Sequence, residues 1–134
     1  MTASTGDSLS PGKKHSVSVS VDHTNTATAV HSGGLEVFAT PAMIALMERA
    51  AFECAQGGLG IGQTTVGSMV SIEHLAASPV GARITATAII EAVEGRKISF
   101  KISACDGHGE IGTGRHTRAV VDIDRFMSKA QDRK

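Results

Sequence analysis

The stretch Thr40 to Ala55, TPAMIALMERAAFECA, decides the fold. It contains no glycine, Thr40 suits a helix N-cap, and Pro41 suits the first helical position. Gly57 and Gly58 then stop the helix. Its only charges are Glu48, Arg49 and Glu53, so it is apolar almost all round. A surface helix would carry a broad polar face, and this one is therefore expected to be wrapped by other structure.

On both sides of that helix the hydrophobic period is two. His15 to Val21 places Val17, Val19 and Val21 on one face. Thr65 to Leu75 is β-branched and apolar, and Arg83 to Val93 puts Ile84, Ala86, Ala88 and Ile90 together. Lys97 to Ala104 alternates Ile98, Phe100, Ile102 and Ala104 against Ser99, Lys101 and Ser103. Glu110 to Ile123 closes the series, with Gly112 and Gly114 marking a bulge or a close backbone approach. Glu94-Gly95 and the DGHG run at Asp106 carry hairpin chemistry. The tail from Arg125 is charged and is expected to fray or form a short helix.

One strand, one buried helix and four more antiparallel strands make an α+β chain. The sheet needs a cover for its apolar face, and the single helix supplies it, which is the hotdog architecture. Pairing with a second copy would manage the exposed edge strands. The expected organisation is a flexible arm over 1–14, one domain over 15–128 and a charged tail over 129–134.

With 134 residues there is room for one core. Thirteen basic and thirteen acidic residues cancel, and with no Trp, no Tyr and four Phe neither a basic footprint nor stacking platforms for nucleic acid are present. No run of apolar residues is long enough to span a membrane, and MTASTGDSLSPGKKHS lacks the apolar core of a secretory signal. Two cysteines, Cys54 and Cys105, make no disulfide framework and no zinc spacing, so the expected compartment is the reducing cytoplasm.

Arg49 and Glu53 form an i,i+4 pair on one helix face, and Glu48 lies about 120° from the middle of that face. Its neighbours there are Ile44, Phe52 and Ala55. A carboxylate in such company is costly unless paired or used; the alternative is a rim position pointing to water, and spacing leaves both open. Capping accounts for Thr40, although a helix start also offers N–H groups to a carbonyl oxygen gaining charge. His74 ends an apolar strand, where histidines are more often structural. The remaining histidines show no metal-ligand spacing. GGLGIG (Gly57 to Gly62) follows a helix and lacks a phosphate-loop pattern, so it reads as a connection.

VFAT (Val37 to Thr40), LME (Leu46 to Glu48), VGSMVSIEHLAASPVG, EGRKISFKISACDG and IGTGRHTRAV, taken in order, resemble the hotdog-fold acyl-CoA thioesterases, and within them the fluoroacetyl-CoA thioesterase-like subgroup. The resemblance covers about residues 15 to 128. It implies a catalytic set of Thr40, Glu48 and His74, a thioester-oxygen site at the Gly67 N–H, and a binding or packing role for Arg118 with His116 on the same face. It also implies a homodimer, alone or as a dimer of dimers, with active sites at the subunit interface. CoA would enter as part of the substrate, with no retained cofactor and no metal. In that subgroup an aromatic-bearing lid precedes VFAT. Here the stretch is AVHSGGLE, without an aromatic residue, which points to a general acyl-CoA thioesterase. The competing classes are a non-catalytic hotdog binder of acyl-CoA and a dehydratase, whose short-spaced Asp and His motif is missing from the sequence.

Overall fold

The computed structural model describes residues 8–134. Five strands and two helices follow in the order β1 (Lys14–Ser20), α1 (Thr40–Gln56), β2 (Gln63–His74), β3 (Arg83–Glu94), β4 (Lys97–Asp106), β5 (Gly109–Asp122) and α2 (Ile123–Gln131). The strands form one antiparallel sheet, ordered β1-β3-β4-β5-β2. The period-two pattern sets its faces as expected: Ile84, Ala86, Ala88 and Ile90 of β3 and Ile98, Phe100, Ile102 and Ala104 of β4 are all buried under α1. Full burial of each isoleucine contributes about 1.5–3 kcal/mol, so this one face supplies much of the folding free energy. Glu94 and Lys97 pair across the β3–β4 hairpin, where Gly95 adopts φ +63°, and Asp106 pairs with Gly109 across the next.

Three expectations are corrected. Thr40 is not the N-cap: Ala39 holds that position, Thr40 is the first helical residue, and no side chain among the described residues caps the helix. The Thr40 hydroxyl is engaged elsewhere, as described below. Nor is α1 wrapped all round in the single chain. Met43, Leu46, Met47, Ala50, Ala51, Cys54 and Ala55 are buried, but Pro41, Ala45, Arg49 and Phe52 form an exposed stripe, because one sheet covers only one side of a helix. Finally, the expected N-terminal arm is docked over much of its described part. Leu9 packs on the core, and Gly12 and Lys13 exchange backbone hydrogen bonds with Ile90 at 2.9 Å. Residues 1–7 of that arm lie outside the described residues.

Gly112 and Gly114 mark close approaches. A Cβ on Gly112 would stand 2.5 Å from Met43 Sδ, and one on Gly114 would run into the Ser71 backbone carbonyl. The charged tail forms α2, which begins where the Ile123 N–H donates to the Gly62 carbonyl at 2.9 Å. Gly57 to Gly62 is the connection from α1 to β2. No helix among the described residues is long and apolar enough to cross a membrane.

Candidate active site

β2 is an edge strand whose last residue returns to the start of α1. This places His74 against Thr40, with Nδ1 2.7 Å from Oγ1. Burial of the imidazole holds His74 below the ordinary histidine range. Its other nitrogen, Nε2, is buried and has no hydrogen-bond partner among the described residues, and an orphaned ring nitrogen in a cleft is available for chemistry. Thr40 and His74 line a cleft of about 330 Å³ with Ala27, Ser32, Val37 and Phe38. The aromatic-free stretch upstream of VFAT runs along its mouth through Ser32 and is solvent-exposed.

Two turns further along α1, Glu48 reaches toward the middle of β2. Its Oε2 lies 3.6 Å from Arg118 Nη1 and 3.9 Å from His116 Nε2. Only a glycine permits this. A Cβ on Gly67 would stand 2.6 Å from Glu48 Oε2, 3.3 Å from His116 Cε1 and 3.5 Å from Arg118 Nη1. The register of β2 against β5 slips between Gly67 and Met69, leaving Ser68 as the extra residue of a bulge.

Arg118 is buried and anchored on Thr65. Its Nε donates to Thr65 Oγ1 at 2.8 Å and its Nη2 to the Thr65 carbonyl at 3.0 Å. The guanidinium also sits 5.8 Å from the centre of the Phe52 ring, within cation–π range. His116 is 1% exposed, and burial is the main cause that pushes its imidazole down, with Arg118 adding to it.

The sequence-derived residues therefore fall into two clusters. Thr40 and His74 form one; Glu48, Gly67, His116 and Arg118 form the other. Among the described residues no hydrogen bond or ion pair joins them. Glu48 is 42% exposed at its side chain, so it belongs to a rim with a charged partner, between the two readings that spacing left open. Thr65 and Phe52, which hold Arg118, had no local signal: Thr65 is 53 residues away from Arg118 in the chain. The Arg49–Glu53 pair is present at 2.9 Å, and His15 of β1 joins it at 2.9 Å. No group of three His, Cys, Asp or Glu side chains among the described residues is placed to hold a metal ion.

A family model described as fluoroacetyl-CoA-specific thioesterase matches residues 21–124, most of the chain. The chain belongs to the fluoroacetyl-CoA-specific thioesterase family. It is 41% identical over 98 residues to a fluoroacetyl-CoA thioesterase of Streptantibioticus cattleyicolor, covering 73% of this chain and 70% of that one. A solved fluoroacetyl-CoA thioesterase superposes with a TM-score of 0.90 at 32% identity, over 94% of this chain and 98% of the other. A hot-dog-like protein from Thermanaerovibrio acidaminovorans superposes with a TM-score of 0.85 at 26% identity, over 93% of each chain. The hotdog fold expected from the strand and helix pattern is thus found, and this member of the thioesterase family is an enzyme, not a non-catalytic binder.

Proposed function

We propose that the chain hydrolyses an acyl-CoA thioester to the free acid and CoA, with Thr40, Glu48 and His74 as its catalytic residues. The observation that carries this is the complementary content of the two clusters. One offers a histidine with an open nitrogen beside a small cleft; the other offers a carboxylate held by a buried arginine over a glycine backbone. Neither is sufficient alone, and a second copy brings them together. Two further features support a homodimer or a dimer of dimers. β2 is a long edge strand with Met69 and Val70 exposed, and the exposed stripe of α1 lacks the cover that its composition calls for.

In the proposed reaction the Gly67 N–H donates a hydrogen bond to the developing oxyanion, with Arg118 supplying positive potential nearby. Glu48 either attacks the carbonyl carbon, expelling the thiolate and leaving an anhydride that water opens, or removes a proton from the attacking water. His74, oriented by Thr40, passes the proton to the departing sulfur. Coenzyme A is part of the substrate, and no cofactor is retained. The names of its relatives make fluoroacetyl-CoA a candidate substrate; the aromatic-free rim of the cleft favours wider acyl selectivity. Two free cysteines suit a reducing cytoplasm.

The test is hydrolysis of an acyl-CoA panel, from acetyl and fluoroacetyl to medium-chain and aromatic groups, with Glu48→Ala alongside. The variant should lose at least about 10² in rate. A folded, fully active Glu48→Ala overturns the assignment. Single-turnover hydrolysis in labelled water separates the two routes, since the anhydride route leaves label in Glu48.

A further inference from the structure

The geometry points to His116 as a positioning residue that, through one locked tautomer, holds both the β2 bulge beside Gly67 and the guanidinium facing Glu48. This rests on the proposed role of Glu48. The guanidinium nitrogens of Arg118 can only donate. Arg118 Nη1 lies 3.1 Å from His116 Nε2, so Nε2 must be the bare, accepting nitrogen. The ring proton is then on Nδ1, which lies 2.7 Å from the Met69 carbonyl, an atom that can only accept. Both ends of the ring independently require the same neutral tautomer. An imidazolium would instead set one N–H donor against another across 3.1 Å, with two like charges in contact.

Among the described residues nothing nearby offers the ring another arrangement. It is 1% exposed and stacked on Phe100, with centroids 6.2 Å apart and planes 28° apart. The Glu48 carboxylate is 3.9 Å from Nε2, beyond hydrogen-bond length, and does not compete with Arg118. The Met69 carbonyl that His116 holds is next to the bulged Ser68, whose hydroxyl donates to the Thr117 carbonyl at 3.2 Å. His116 therefore ties β5 to β2 at the point where the bulge presents Gly67. With both nitrogens engaged it takes no part in proton transfer, which leaves that task to His74.

The experiment has two arms, both on the full chain. In the first, nitrogen-15 NMR of the unaltered protein at neutral pH should show His116 with a protonated Nδ1 and a bare Nε2. A proton on Nε2, or on both nitrogens, overturns the inference. In the second, His116→Phe keeps the ring volume and the stack but removes both hydrogen bonds. It should lower kcat on acetyl-CoA by about 10²-fold, the cost of misplacing a catalytic group by about 1 Å, with KM within about threefold. Added to Glu48→Ala it should cost less than about threefold more, because it acts through Glu48. An unchanged kcat in folded His116→Phe, or a further 10²-fold loss on top of Glu48→Ala at about the same magnitude as alone, overturns it. Failure of the Glu48 reading itself shows up separately, as full activity of Glu48→Ala.

Discussion

Thr40 Oγ1 and His74 Nδ1 stand 2.7 Å apart, so the first residue of α1 is tied to the last residue of β2 across 34 positions of sequence. Because the hydroxyl bonds a ring and not the helix N–H groups, removing it should leave helix stability intact. Thr40→Val is expected to keep Tm nearly unchanged, without the roughly 1 kcal/mol loss of a broken cap. Its kcat should fall by about tenfold or more, and Thr40→Ser should be mild. Thermal unfolding and steady-state hydrolysis, run on the same samples, check both halves.

Gly67→Ala tests the second cluster. The new Cβ would stand 2.6 Å from Glu48 Oε2, and the carboxylate, partly exposed at a flexible side-chain end, would move away. A displacement of about 1 Å should cost about 10² in kcat. Stability should change little, so a normal Tm with a collapsed rate is the expected pair of results.

Gly114→Ala should give the opposite pattern. Here the added Cβ meets the Ser71 carbonyl and lies 2.8 Å from Ile72 Cα, both backbone atoms that cannot step aside without unpairing β2 from β5. Strain of this kind costs about 1–3 kcal/mol or more, read as a fall of several degrees in Tm or a lowered denaturant midpoint.

The edge of the sheet gives a fourth test. Val70 is exposed at the middle of β2, and a lysine there would bring like charges together if two copies pair along this edge. Val70→Lys should shift the sedimentation of the protein toward the monomer and lower its activity in parallel. A dimer that persists unchanged would place the interface elsewhere.

Acid should weaken both rate and stability through half-buried His74 and buried His116. His74 and His116 have imidazoles lowered by burial from the ordinary value of 6.5. The unfolded chain therefore takes up these protons first. Stability is full above about pH 6.5 and is lost as pH falls from there through the lowered native values. Glu53, Asp22 and Asp106 are lowered from 4.5, 3.8 and 3.8, so their contributions disappear in a separate, more acidic window. Denaturant midpoints at several pH values resolve the two. If neutral His74 is the working form, kcat/KM should hold its plateau below pH 6.5 and fall on an acid limb centred lower still.

Much of this architecture is legible residue by residue. The alternation of Ile98, Phe100, Ile102 and Ala104 has only one use in a sheet with one covered face. The hairpins follow from the turn residues at Gly95 and the DGHG run. Thr40 shows where such reading stops. Its position before Pro41 is equally consistent with a cap and with a hydroxyl turned toward a strand, and only the proximity of His74 separates them. The same holds for Glu48: helical spacing puts it among Ile44, Phe52 and Ala55, but its cation comes from β5, 70 positions later in number.

By itself the sequence determined the alternation of faces, the single apolar helix and the residue types available for thioester chemistry, because these depend on local periodicity and side-chain chemistry. Only the tertiary structure decided which of those residues meet. Contacts such as Thr40 with His74, Arg118 with Thr65 and His116 with Met69 are products of strand order and register. Register slips by one residue at the Ser68 bulge, and that slip, invisible in any local pattern, brings Gly67 beneath the Glu48 carboxylate.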